Sequence, residues 1–272
     1  MHPAARGLLL LLCVPPGAAP ALAAEAPPEP PAYDVPRMDK VVVDGRSDDW
    51  GEGGFRIDLL LPVNTRDEPQ RMRRVEDHDA RCRLGWDDEG LLVLMIVRDD
   101  RWVEEPREEA LGRCDAVDLY MSPRRGDANI CQWVIAPGMD PAHPELRRRL
   151  YDYRKDAAMK DASMELAAAR TREGDTCVLE ARLPWKALAI EAKPGRELAV
   201  QVWSHDADRR DDIPPYYAAW YPKVGTFRDS TRMHRVRLAE AASPPVAALV
   251  LGDYDMDRVR SEEHTSELQS LY

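Results

Sequence analysis

The sequence predicts an all-β protein, a sandwich or barrel of short strands joined by long polar loops. Two observations carry that prediction. Short β-branched or alternating apolar runs recur along the body of the chain, and Gly-, Pro- and Asp-rich turn segments separate them.

The elements follow in order. Val41 to Val43 is a short β-branched run turned by Asp44-Gly45. Arg81 to Trp86 and Leu91 to Val97 flank Asp87-Asp88-Glu89-Gly90, which makes a hairpin. Ala116 to Met121 and Ile130 to Ala136 both alternate. Arg147 to Lys160 has room for a helical turn. Glu165 to Arg172 and Cys177 to Leu183 form a second hairpin over Glu173-Gly174-Asp175. Glu197 to His205 is a further strand, and His234 to Leu238 closes the domain, taken as residues 37–240.

Both ends read as something other than folded domain. Residues 1–24 have the charged, apolar, small-residue order of a secretory signal peptide, with Ala21-Leu22-Ala23-Ala24 at the cleavage region. The apolar run from Gly7 to Val14 is far short of the ~20 residues that span a bilayer. A lipid anchor on Cys13 is disfavoured, because Leu12 stands where a small residue is wanted. Residues 25–36 are a Pro/Ala/Glu-rich linker. Residues 241–259 are a linker or the start of a lost domain. Asp253, Asp255 and Asp257 there have calcium-loop spacing, but Arg258 occupies the place of the glycine. Residues 260–272 open with Arg260-Ser261-Glu262-Glu263-His264-Thr265-Ser266-Glu267-Leu268-Gln269-Ser270, the in-frame translation of a sequencing adapter. The expectation is therefore a secreted or periplasmic protein whose natural chain continues into a missing C-terminal domain.

The chain carries a net charge of −11 and no basic stripe. That disfavours nucleic acid and anionic membrane as partners and leaves neutral substrates open. Four cysteines remain beyond the signal: Cys82, Cys114, Cys131 and Cys177. They contain no C-x-x-C pair, which disfavours zinc and thioredoxin-type sites. Two disulfides, one disulfide or free core thiols all fit. Cys82 shares parity with Leu84 and Trp86, and Cys177 with Leu179 and Leu183, so Cys82–Cys177 is the expected pair.

Period-two parity also locates a binding face. Val117, Leu119 and Met121 share one face of their strand, and Asp118 and Tyr120 the other. Trp133 on the next strand, and Gln201, Trp203 and His205 on a later one, are placed with Asp118 and Tyr120 on an open face. Flat rings stack on the C–H faces of a sugar, while amides and carboxylates take its hydroxyls. The alternative is that the two tryptophans cover the sheet beneath a loop.

Several segments resemble family 9 carbohydrate-binding modules. They are Val43-Asp44-Gly45 with Asp49-Trp50, the run Ala80 to Leu91, Cys114-Asp115-Ala116-Val117-Asp118-Leu119-Tyr120, Val178 to Trp185, and Phe227-Arg228-Asp229-Ser230. The resemblance implies a jelly-roll-like antiparallel β-sandwich that binds sugars or glycan chain ends without catalysis. In that family two rings clamp the ligand. Phe227 stands at the place of one, and the other falls near Gly112, where no ring exists. The family's acidic hydrogen-bonding residue matches Asp118, its arginine matches Trp133, and its amides fall near Trp203 and His205. Structural calcium is a further implication, with Asp99, Asp100, Asp206 and Asp208 as candidate oxygen donors, the alternative for each pair being a solvated acidic loop.

Other chemistries are weaker. Ser204-His205-Asp206 are consecutive on a strand and point to alternate faces, so they cannot form a triad. Met95, Met121 and His205 are conceivable haem ligands, but methionines ordinarily fill cores. The leading expectation is an exported sugar-binding module. The alternatives are a glycoside hydrolase or lyase with unassigned carboxylates, and an interaction domain that has lost its sugar site.

Overall fold

The computed structural model describes residues 30–63, 71–156, 166–211 and 215–241. The signal segment, residues 25–29 of the linker and residues 242–272 lie outside the described residues, and with them the Asp253, Asp255 and Asp257 motif and the adapter-like tail.

The protein is a sandwich of two sheets. The larger orders β1 (Tyr33–Pro36), β13 (His234–Ala239), β11 (Glu197–Asp206), β6 (Ala116–Ser122), β7 (Cys131–Ala136) and β8 (Arg147–Asp152). β12 (Tyr216–Ala219) pairs with the far end of β11, and β3 (Leu61–Pro62) pairs with β12. The smaller sheet orders β2 (Phe55–Ile57), β4 (His78–Trp86), β5 (Gly90–Asp99), β10 (Thr176–Pro184) and β9 (Ala167–Glu173). Its ladders and those of the larger sheet are antiparallel, except that β1 runs parallel to β13.

The core forms where alternating inward residues of the two sheets meet. Leu119 and Met121 of β6, Trp133 and Ile135 of β7, and Val200 and Val202 of β11 face Leu84 of β4, Val93 and Met95 of β5, and Leu179 of β10. All are buried. At roughly 1.5–3 kcal/mol per large side chain, this one layer is the main support of the fold.

Three expectations about elements change. Val41 to Val43 is not a strand. It belongs to a strap, residues 38–53, laid over the outer face of the smaller sheet, where Val41 and Trp50 pack on Leu92, Leu94 and Val178. Arg147 to Asp152 is the edge strand β8 rather than a helical turn. Tyr33 to Pro36, read as linker, is β1, with Tyr33 opposite Val236 and Val35 opposite Leu238.

The expected Cys82–Cys177 disulfide does not form, and all four cysteines are free and buried. β5 lies between their strands, with Cys82 opposite Met95 and Cys177 opposite Val97. Two strand spacings, roughly 10 Å, exceed the ~7 Å between Cα atoms that a disulfide spans. Both residues do point into the core, as parity requires. Burial pushes the Cys131 and Cys177 thiols up to about 12, so they pack as small apolar groups.

Candidate functional site

The strap over the smaller sheet is sealed by one carboxylate. Glu180 Oε2 accepts the backbone N–H groups of Asp44 at 2.9 Å, Gly45 at 2.7 Å and Arg46 at 3.2 Å. Its Oε1 accepts the Trp50 indole N–H at 2.6 Å. Gly45 has φ +84°, and a Cβ there would lie 2.5 Å from the Arg170 backbone. Only glycine fits this turn.

The outer face of the larger sheet is open instead. It holds a cleft of about 520 Å³, a volume suited to a small ligand. Period-two geometry brings Asp118 and Tyr120 of β6, Gln132 of β7, and Trp203 and His205 of β11 to its floor. The register sets Trp203 opposite Asp118, and Gln132 opposite Tyr120. Tyr151 and Tyr153, at the end of β8, form one wall, and Tyr217 of β12 and Phe227 contribute others. The loop carrying Arg107, Glu109, Gly112 and Arg113 forms the rim.

Asp118 is the hub of the floor. Its Oδ2 accepts the Tyr120 hydroxyl at 3.0 Å and the Gln132 amide at 2.7 Å. His205 Nε2 lies 3.4 Å from the same oxygen, and His205 Nδ1 lies 3.1 Å from the Gly112 carbonyl. Asp118 Oδ1, His205 Nε2 and Trp203 Nε1 are buried without a hydrogen-bond partner among the described residues. Such atoms cost about 1–3 kcal/mol each unless something completes them. Burial, then the neighbouring Asp118 charge, pushes Tyr217 up to about 12 and Tyr120 well above the usual phenol range. Both therefore stay as neutral phenols.

The walls are aromatic. Tyr151 and Tyr153 stack with an interplanar angle of 11°, and Tyr153 lies 5.5 Å from Phe227 between ring centroids. Trp203 lies 5.4 Å from Tyr217. The Arg149 and Arg228 guanidinium groups cover the rings of Tyr151 and Phe227. The arrangement offers flat apolar surfaces around a polar floor that has unfilled hydrogen-bonding capacity.

No family model and no curated protein matches the sequence. Solved structures do match in shape. A family 9 carbohydrate-binding module from Caldicellulosiruptor kristjanssonii in complex with cellotriose superposes with a TM-score of 0.56 at 15% identity, covering 79% of this chain and 99% of that one. The same organism's family 9 module in complex with glucose gives 0.55 at 14%, covering 78% and 97%. A Bacteroides uniformis protein gives 0.52 at 13%, covering 76% and 98%. The fold resembles that of family 9 carbohydrate-binding modules. The jelly-roll-like sandwich expected from the scattered motifs is the one observed.

Within this family-9-like fold, the sequence-predicted residues divide. Asp118, Tyr120, Trp203, His205 and Phe227 all line the cleft. Trp133 does not. It pairs with Leu119 and lies in the core between the sheets. The register pairs Asp118 with Val134 rather than with Trp133, so β7 presents Gln132 to the cleft in its place. Gln201 shares the outer face but is sealed beneath a loop. Its amide donates to the Tyr221 carbonyl at 2.6 Å and accepts the Tyr221 N–H at 2.9 Å. Tyr151, Tyr153 and Tyr217 were not anticipated. They supply rings where Gly112 supplies none.

The four aspartates also converge, in two neighbouring groups at one end of the sandwich. Asp99 and Asp206 join His78, and Asp100 and Asp208 join Asp77. Burial pushes Asp206 up to about 7. His78 opposes that rise, and Asp99 adds to it.

No helix of the described residues is long and apolar enough to cross a membrane.

Proposed function

We propose that the protein is an exported, non-catalytic carbohydrate-binding module whose ligand lies in the cleft over β6, β7 and β11. The observation that carries this reading is the pairing of a ring-lined wall with buried, unpartnered Asp118 Oδ1 and Trp203 Nε1. A pyranose offers C–H faces for Tyr151, Tyr153 and Phe227, and hydroxyls that both donate to a carboxylate and accept from an indole N–H. The likeness to modules that hold cellotriose and glucose supports the same class of ligand. Gly112 does not argue for a lost site, because the tyrosines of β8 and β12 furnish the aromatic surface.

A panel of soluble and immobilised glycans, glucose and cellotriose included, tests the reading. Saturable binding to at least one glycan, weakened by Tyr153→Ala in a folded protein, is expected. Absence of binding above a denatured control sinks it. Incubation with the same polysaccharides and a reducing-end assay tests the non-catalytic clause, for which no new ends are expected.

A further inference from the structure

The sugar cleft leaves one buried polar assembly unused. His78 begins β4, Asp99 ends β5 and Asp206 ends β11. His78 and Asp99 are register partners. All three occupy inward positions of their strands: His78 is in phase with Cys82, Asp99 with Val97, and Asp206 with Val202, all core residues. They therefore fill the end of the sandwich between the two sheets. Each is buried, Asp99 and Asp206 to 1% exposure.

Their polar atoms are not satisfied by one another. His78 Nδ1, His78 Nε2 and Asp99 Oδ2 lack hydrogen-bond partners among the described residues, and Asp206 Oδ2 makes no hydrogen bond but has Arg73 Nε beside it at 3.2 Å. Candidate ligand atoms from the three side chains lie within 4.8 Å of one another. His78 Nδ1 and Asp99 Oδ2 are 3.7 Å apart, too far for a hydrogen bond. Bonds of about 2.0–2.1 Å from one ion would reach both atoms at an angle of roughly 125–135°, wider than tetrahedral, so the two side chains would draw together slightly on binding. Charge makes the same demand. Asp77, Asp100 and Asp208 form the adjoining outer group. Arg73 lies within ion-pair distance of Asp77, Asp206 and Asp208. Among the described residues, the Arg73 guanidinium is the cation paired with these carboxylates, of which Asp77, Asp99, Asp100, Asp206 and Asp208 make five, and buried charge left unneutralised is costly.

We propose that His78, Asp99 and Asp206 bind a divalent transition-metal ion, zinc by preference, that pins the two sheets together at this end of the sandwich. An imidazole with two carboxylates suits zinc or manganese. Calcium takes six to eight oxygens, so the inner group, with one imidazole and two carboxylates, fits it poorly. Asp115 beside this cluster accepts the Val103 and Ala207 N–H groups, and so anchors the rim loop and the segment after β11.

The test uses the full chain purified without a metal-binding tag. Elemental analysis after dialysis should find about one equivalent of zinc or manganese per chain. Chelation should lower Tm by several degrees, and zinc should restore it at lower concentration than calcium does. His78→Gln should abolish both the bound metal and the chelator sensitivity. If that variant fails to fold, cobalt substitution of the wild type replaces it, with visible d–d bands that show nitrogen ligation expected. No bound metal together with a chelator-insensitive Tm overturns the proposal. So does restoration by calcium alone, or full metal retention in His78→Gln. Sugar binding is read separately, so its absence does not bear on this result.

Discussion

The two outer faces of the sandwich each bury a carboxylate from a central strand, and they use it in opposite ways. On the smaller sheet, Glu180 has both oxygens filled by three backbone N–H groups and an indole. On the larger sheet, Asp118 has Oδ2 filled by Tyr120 and Gln132 and leaves Oδ1 empty-handed. The residues around them differ accordingly. Trp50 is the strap's own buried ring with its N–H bonded to Glu180, whereas Trp203 keeps an unpartnered N–H at the floor of a cleft. Saturation separates a carboxylate that holds the fold from one that awaits a ligand. Burial alone does not separate them.

The largest effect that tests this contrast is at Glu180. Glu180→Ala strands three backbone donors and the Trp50 N–H under the strap. A loss on the order of 3–5 kcal/mol is expected in urea unfolding, with the sugar affinity of the remaining folded protein unchanged. Gly45→Ala comes next. It places a Cβ against the Arg170 backbone at positive φ and should cost about 2 kcal/mol or more by the same measurement. Equal stability in either variant would remove the saturated half of the comparison.

A third test lies at the far end of the larger sheet. His234 Nε2 lies 3.2 Å from the Trp220 carbonyl, and its ring packs against Tyr33, Trp220 and Tyr221. Burial pushes His234 down to about 4. The folded state therefore prefers the neutral ring. Its contribution is fully present above the unfolded value of about 6.5 and is lost as pH falls toward 4, by at most roughly 3 kcal/mol. Urea midpoints between pH 7 and pH 4 should fall in the wild type and fall less in His234→Gln. A parallel decline in both would show that other groups set the acid limb.

Much of this was legible in the chain because alternation is strict where one face is polar. Asp118 and Tyr120 alternate with Val117, Leu119 and Met121, so parity alone assigns them to the open face, and Trp203 follows from the apolar run Leu198, Val200 and Val202 that alternates with it. β7 defeats that logic. Cys131, Trp133 and Ile135 oppose Gln132, Val134 and Ala136, so both faces are mostly apolar and only Gln132 marks the outer one. The signal was present in that single amide, and the tryptophan outweighed it. β8 is an edge strand rich in arginine, with no hydrophobic period to announce Tyr151. β1 was hidden by the proline-rich composition around it. His78 went unnoticed because three strands from both sheets assemble its cluster, and no local spacing records that. Val43-Asp44-Gly45 and Trp50 carry the family resemblance, but the sequence reads Val41 to Val43 as a strand, because the strap's anchor, Glu180, lies 135 residues from Gly45.

The most direct measurement compares the two carboxylates by conservative amide replacement. Asp118→Asn and Glu180→Gln are each titrated calorimetrically with the best glycan from the panel, at matched folded concentration. Asp118→Asn should keep stability within about 1 kcal/mol and lose at least about tenfold in affinity, the worth of one charge-assisted hydrogen bond. Glu180→Gln should lose stability and keep affinity. Retained affinity in Asp118→Asn, or equal weakening in both variants, would contradict the assignment of the cleft as the sugar site.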